Sequence, residues 1–151
     1  MAQSLSKIYL HVVFHVKYTS PTIEEEHWER VHNYIGGLVN TTGCHVLCVG
    51  GVENHVHVLL MFSRTETVAY VVEEMKRNSS RWIKTISPRY ENFAWQGGYG
   101  VFSVSQSQIH KVVRYIEKQK EHHRKHSFQK EYLEFLRLHD IEYDEKYVFS
   151  D

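Results

Sequence analysis

The stretch VENHVHVLLM, residues 52–61, places two histidines one residue apart inside an otherwise aliphatic run. Side chains alternate faces along a strand, so His55 and His57 share one face while Val56 and Val58 take the other. Residues two apart on one face are separated by roughly 6.5–7 Å along the strand. Two imidazoles at that spacing can lean together and bind one cation, although each is equally explained as a satisfied core histidine. The run therefore predicts a buried strand and a candidate metal site.

Strand and helix patterns surround this run in a recognisable order. KIYLHVVFHVKY (7–18) and CHVLCVGGV (44–52) read as strands, and YGVFSV (99–104) reads as a fourth strand. Helical patterns follow Pro21, with Thr22 as the expected N-cap, and cover residues 65–86, where Pro88 ends the helix. The order β-α-β-β-α-β predicts an α+β fold, the ferredoxin-like (split βαβ) antiparallel sheet with helices on one face.

The C-terminal third reads as helical. One long helix is expected from Ser105 to about Arg124 and another from Phe128 to His139. The 151 residues, 42% hydrophobic and 24% charged, suit a single globular domain over 1–151, with a helical extension over about 105–151. The apolar runs are too short to span a bilayer and no secretory cleavage pattern is present, so we expect a cytoplasmic protein. Cys44 and Cys48 form no metal-binding array, and zinc or disulfide roles are not expected.

Charge is segregated along a chain whose formal net charge is zero. Residues 75–90 carry five Lys or Arg and no acid, whereas residues 110–126 carry six Lys or Arg, two Glu and four His. Local basic faces, not net charge, set the attraction for a phosphate backbone. Solvated helix faces would explain either cluster alone. The predicted DNA contacts all lie in the first cluster: Lys76, Arg77, Ser80 and Arg81.

A tyrosine on the predicted last long helix is the second candidate site residue. Tyr115 and Gln119 lie four residues apart, so they share one side of that helix beside its apolar stripe. The spacing alone favours a rim tyrosine with a hydroxyl in water, and a catalytic role needs further support.

Three motifs supply that support: ENHVHVLL, WQGGYGVFSVS and VVRYIEKQKEHH, in this order. Together they resemble the single-tyrosine HUH transposases, the IS200-like insertion-sequence and repeat-associated enzymes, which act on single-stranded DNA. The resemblance implies that His55 and His57 bind a divalent cation, Mg²⁺ or Mn²⁺, that Gln119 is a third ligand, and that Tyr115 is the nucleophile. Asn54 stands where the family usually has an acidic residue. It can accept a hydrogen bond from an imidazole but carries no charge.

The resemblance also implies a reaction and its partners. A tyrosine oxygen attacks phosphorus and forms a 5′-phosphotyrosine intermediate. This covalent bond keeps the energy of the broken phosphodiester bond available for rejoining. The partner is single-stranded or hairpin DNA, and a homodimer is implied in which Tyr115 of one subunit can face the histidines of the other. Unstacked bases could rest on aromatic side chains, and four are available: Trp82, Phe93, Trp95 and Tyr99. For Trp82, on the apolar stripe of its helix, we favour core packing.

Two other functions fit parts of the sequence. One is a non-catalytic nucleic-acid-binding ferredoxin-like domain, in which the basic helices bind the nucleic acid and the histidines have no role in function. A metal-dependent hydrolase would use His55, His57 and a third histidine, such as His11 or His45, with water as the nucleophile.

Overall fold

The computed structural model describes residues 2–150, and its centre is a four-stranded antiparallel sheet. Strands β1 (Ile8–His15), β2 (His45–Gly51), β3 (His55–Phe62) and β4 (Gly100–Val104) lie in the order β2-β3-β1-β4. Helix α1 (Glu25–Thr41) connects β1 to β2, and helix α2 (Val68–Ile86) connects β3 to β4. The predicted α+β class and ferredoxin-like arrangement are confirmed.

Each face of the sheet is covered by a different set of helices. Val12 and Phe14 of β1 lie opposite Val58 and Val56 of β3 on one face, in the main core with α1 and α2. The other face carries the histidines and meets the C-terminal helices, which run over residues Ile109–Glu117 (α3), Gln119–His122 (α4) and Phe128–Leu138 (α5). Because both faces are covered, β3 is buried along His55–Leu60. The histidine face is therefore an internal layer.

The first helix begins later than predicted. The N-cap of α1 is Glu24, with an extended backbone and no side-chain cap, so the prediction of a Thr22 cap is wrong. The reason is tertiary: Ile23 is buried in the main core and its backbone N–H donates to the carbonyl of Glu53 at 2.8 Å. The segment after Pro21 is therefore held extended as far as Glu24, and α1 begins at the next residue.

The long C-terminal helix predicted from Ser105 is divided. One 3-10 turn, Gln106–Gln108, precedes α3, and α3 ends at Glu117. Lys118 leaves the helical region with φ −99° and ψ 18°, and α4 starts at the next residue. The break separates the helix of Tyr115 from the short helix of Gln119. No helix within residues 2–150 has the length and apolar character needed to cross a membrane.

Candidate active site

The two histidines of β3 meet at one point below the C-terminal helices. His55 and His57 have no exposed surface, and their ring centroids are 5.1 Å apart. Their Nε2 atoms lie 3.4 and 3.0 Å from the same carboxylate oxygen, Oε1 of Glu131. The strand pattern thus placed both imidazoles on one face, as predicted, and the tertiary fold turns them toward a shared centre.

Partners behind the rings fix their orientation. Nδ1 of His55 lies 2.7 Å from Oδ1 of Asn54. An amide oxygen only accepts, so this ring donates from Nδ1 and presents the lone pair of Nε2. Burial lowers the pKa of His55 to about 3, which keeps the imidazole in the neutral, metal-binding form. Asn54 therefore orients the His55 ring through an uncharged amide.

The histidines considered as third ligands of a hydrolase lie away from this centre. His11 contacts His57 from behind, with 2.8 Å between its Nε2 and Nδ1 of His57, and burial lowers the pKa of His11 well below its ordinary value. His45 is exposed at the start of β2. Neither residue offers a ligand atom to the point on which the β3 histidines converge.

Gln119 and Tyr115 join the histidines within one chain. The Oε1 atom of Gln119 lies 3.2 Å from Nε2 of His55, and the rings of Tyr115 and His57 are 5.7 Å apart. The Tyr115 hydroxyl donates a hydrogen bond to Oε2 of Glu131. The expectation of a rim hydroxyl in water is wrong, because α5 brings a carboxylate to it. Burial and the neighbouring charge of Glu131 raise the pKa of Tyr115 above its ordinary range.

A glycine on β2 sets how closely the tyrosine helix approaches the sheet. A Cβ atom on Gly50 would lie 2.5 Å from the carbonyl oxygen of Ile116 and 2.7 Å from its Cγ2. Ile116 is the residue after Tyr115 and is buried. The missing side chain at position 50 therefore permits the contact that brings Tyr115 close to the histidines.

Sequence reasoning missed two residues of this cluster, His123 and Glu131. The ligand atoms of His55, His57, His123 and Glu131 all lie within 4.8 Å of one another. His123 follows Gln119 by four residues, a helical spacing that is a usable signal in the sequence. Glu131 lies in an acidic tail with no motif around it, and only the packing of α5 identifies it.

Helix α5 closes the site from above. The ring of Phe128 lies 4.6 Å from that of His55, and the ring of Phe135 lies 6.2 Å from that of His57 and 5.8 Å from that of Tyr115. The helix starts at a Ser127 cap whose side chain accepts from the N–H of Lys130. These aromatic rings keep water from the imidazoles, so electrostatic interactions inside the site are strong.

The predicted DNA contacts lie on α2, on the opposite side of the sheet from the histidines: Lys76, Arg77, Ser80 and Arg81. Lys76 donates to the carbonyls of Gln96 and Gly98 at 2.5 and 3.1 Å. Arg77 pairs with Glu73 and Glu74 on its own helix. The basic groups of Lys76 and Arg77 thus have partners within the protein, and the role of all four residues in DNA binding stays a prediction.

The aromatic residues considered for base stacking differ in their surroundings. Phe93 and Trp95 are buried in the main core, so a stacking role for them is wrong. Trp82 stacks on Tyr34 with 4.2 Å between ring centroids, in line with the preferred packing role. Tyr99 is 40% exposed and keeps an accessible ring.

A second basic surface surrounds the tyrosine itself. One of the depressions lined by Tyr115 has five cationic side chains along it: Lys111, Arg114, Lys118, Arg124 and Lys125. One acid, Glu121, lies among them. This surface belongs to the basic segment 110–126 and lies beside Tyr115, the predicted nucleophile.

Comparison with known proteins gives the family. Residues 4–119 match the family described as Transposase IS200 like. A structure of a protein assigned as a transposase in Deinococcus radiodurans R1 is similar with a TM-score of 0.60 at 20% identity, over 79% of this chain and 98% of that one. A REP-associated tyrosine transposase bound to a REP hairpin is similar with a TM-score of 0.58 at 10% identity, over 82% and 74%. Among curated proteins, none matches the sequence significantly.

The chain therefore belongs to the IS200-like transposase family, as its motifs predicted. This is a family of HUH-type, metal-dependent enzymes of DNA transposition, and the cluster of His55, His57, His123 and Glu131 offers a place for an ion. The solved structures support the fold alone, at their low identities.

Proposed function

We propose that this protein is a metal-dependent single-stranded DNA transposase that cleaves and rejoins DNA at element ends through Tyr115. The observation that carries the proposal is the meeting of the Tyr115 phenol, the Gln119 amide and two buried imidazoles in a chain of the IS200-like family. Each of these groups has a distinct task in phosphoryl transfer.

The proposed cation ligands are His55, His57 and Gln119. The donor set suits a divalent ion, since the His55 ring is neutral with Nε2 facing inward and an amide oxygen lies 3.2 Å from it. Nitrogen and oxygen ligands of this kind suit Mn²⁺, and Mg²⁺ where water and phosphate complete the shell. Such an ion would polarise a non-bridging phosphate oxygen and neutralise charge that develops on it.

Tyr115 is the proposed nucleophile. Its phenolic oxygen forms a bond to phosphorus while the bond from phosphorus to the 3′ oxygen breaks, which leaves a 5′-phosphotyrosine and a free 3′ hydroxyl. Rejoining reverses the step with a 3′ hydroxyl as the attacking group. The hydroxyl donates a hydrogen bond to Glu131, so this carboxylate is placed to accept the phenolic proton as the oxygen attacks phosphorus.

The proposed partner is single-stranded or hairpin DNA. A structurally similar transposase is bound to a DNA hairpin, and the cationic depression beside Tyr115 has the charge that a phosphate backbone requires. The α2 residues Lys76, Arg77, Ser80 and Arg81 remain proposed as further contacts. We also propose one domain with a helical extension, assembled as a homodimer in which Tyr115 acts beside its own histidines or faces those of the partner.

The test is incubation of the protein with element-end single strands and Mg²⁺ or Mn²⁺, followed by denaturing electrophoresis. We expect a protein–DNA adduct that survives denaturation, its loss in Tyr115→Phe, and its persistence in the matched control Tyr99→Phe, whose ring is exposed. Cleavage without an adduct in the wild type would indicate a hydrolase that uses water. DNA binding that persists after metal removal, with no cleavage under any condition, would indicate the non-catalytic binding domain.

A further inference from the structure

We propose that Glu131 and His123 are also ligands of the cation, so that the bound ion fastens helix α5 to the histidine face of the sheet. This inference rests on the cation site of the proposed function and adds a carboxylate and a third imidazole to it. Glu131 lies beyond residues 4–119, where the family match ends, so the ligand comes from a part of the chain outside that match.

The distances around Glu131 suit coordination of one ion. Its Oε1 atom lies 3.0 Å from Nε2 of His57, 3.3 Å from Nε2 of His123 and 3.4 Å from Nε2 of His55. Ligands about 2.1 Å from a common ion are separated by about 3.0 Å in octahedral and about 3.4 Å in tetrahedral geometry. All three distances fall in this range, so an ion can bind with small movements of the side chains.

The charge balance favours a cation at this point. Glu131 is 5% exposed, and its ion-pair partners among residues 2–150 are all histidines, with no Lys or Arg. A buried carboxylate needs compensating charge as well as hydrogen bonds. The Nδ1 atom of His55 is engaged by Asn54, so only Nε2 of that ring faces the carboxylate. A divalent ion supplies the missing charge directly.

His123 gives an independent indication. Its side chain is 9% exposed, and Nε2 is buried without a hydrogen bond of good geometry within the described residues. The Nδ1 atom of the same ring lies 2.7 Å from the carbonyl oxygen of His126, which can only accept. Nδ1 therefore has a proton, and in the neutral ring Nε2 presents its lone pair to the cluster, the arrangement found in metal-bound histidines.

The second oxygen of Glu131 links this site to the nucleophile. Oε2 accepts the hydrogen bond of the Tyr115 hydroxyl, while Oε1 faces the imidazoles. An ion that holds Oε1 therefore also fixes the carboxylate that positions the tyrosine. The cation, α5 and Tyr115 therefore form one connected unit.

The experiment measures Mn²⁺ binding to the full chain by titration calorimetry, with no DNA present. We expect Glu131→Gln to weaken Mn²⁺ binding at least tenfold. The matched control Glu134→Gln, which alters an exposed carboxylate three residues later that pairs with Arg137, should stay within twofold of wild type. Mn²⁺ affinity of Glu131→Gln equal to that of wild type overturns the inference.

A measurement on the wild type removes any dependence on how Glu131→Gln folds. Amide hydrogen exchange of residues 128–138 should slow when Mn²⁺ is added, since the ion fastens α5, and an unchanged rate with Mn²⁺ bound overturns the inference. Either result leaves the site of His55, His57 and Gln119 intact. The proposed function fails on different grounds, by the absence of a Tyr115 adduct with DNA, so the two failures are distinguishable.

Discussion

Replacing Gly50 by alanine tests how the sheet positions the nucleophile. The added Cβ would lie 2.5 Å from the carbonyl oxygen of Ile116, whereas close carbon–oxygen contacts are about 3.3 Å. Helix α3 must therefore move away from β2 by roughly 0.8 Å, because the obstructing atom belongs to the backbone. Tyr115 moves with it.

The expected cost follows from this displacement. Overpacking of a tight contact destabilises a protein by about 1–3 kcal/mol, and the lower backbone entropy of alanine in the unfolded chain offsets about 0.5–1 kcal/mol. The net loss is at most about 2.5 kcal/mol and about 1.25 kcal/mol at the centre of these ranges, which corresponds to a decrease in Tm of roughly 3–5 °C for a chain of this size. A displacement approaching 1 Å at the reacting oxygen can lower the cleavage rate by on the order of 10²-fold.

The assay compares Gly50→Ala with Gly37→Ala by thermal unfolding and by rate of adduct formation. Gly37 lies within α1, where a Cβ atom would meet nothing within 4 Å. Its replacement should stabilise the protein by about 0.5–1 kcal/mol and leave the rate unchanged. Wild-type stability and rate in Gly50→Ala would refute the reasoning, since they would mean that α3 does not depend on this contact.

Three further predictions concern pH, a buried hydrogen bond and the assembly. Burial lowers the pKa of His32 to about 4 from an ordinary 6.5, with repulsion from His57 a smaller cause. As pH falls, His32 takes up its proton in the unfolded chain before it does so in the folded protein. The stability that neutral His32 contributes is therefore full above about pH 6.5 and is lost as pH falls toward 4. In denaturant unfolding, the free energy of unfolding of wild type should fall by about 2 kcal/mol relative to that of His32→Gln between pH 7.5 and 5. Ser79→Ala should cost about 1–3 kcal/mol in the same assay, because the Trp95 Nε1–H, which donates to the Ser79 hydroxyl at 2.9 Å, would be left buried without a partner; an unchanged midpoint would contradict this. Mixing Tyr115→Phe with His57→Ala should restore no adduct if Tyr115 acts beside its own histidines, as the 5.7 Å between their rings favours, and restored adduct would show that the subunits share sites.

The sequence by itself determined the features that depend on local backbone geometry and on motif order. Alternation along β3 is a property of any extended chain, so it placed His55 and His57 on one face before any contact was known. The order of strands and helices predicted the ferredoxin-like sheet, and the three motifs identified the family. Helical spacing put Tyr115 and Gln119 together, although the helix between them proved to be broken at Lys118.

Tertiary structure alone decided what completes and covers the site. Glu131 is 74 residues from His57 in the chain, and no local pattern records that α5 folds back onto the histidine face. The same packing places the Tyr115 hydroxyl against the carboxylate of Glu131, where the sequence had predicted a hydroxyl in water. Burial of Ile23 moved the start of α1, and burial of Phe93 and Trp95 removed them from the surface. Each of these outcomes depends on which distant surfaces meet, because burial and desolvation are set by the whole fold and not by neighbours in sequence.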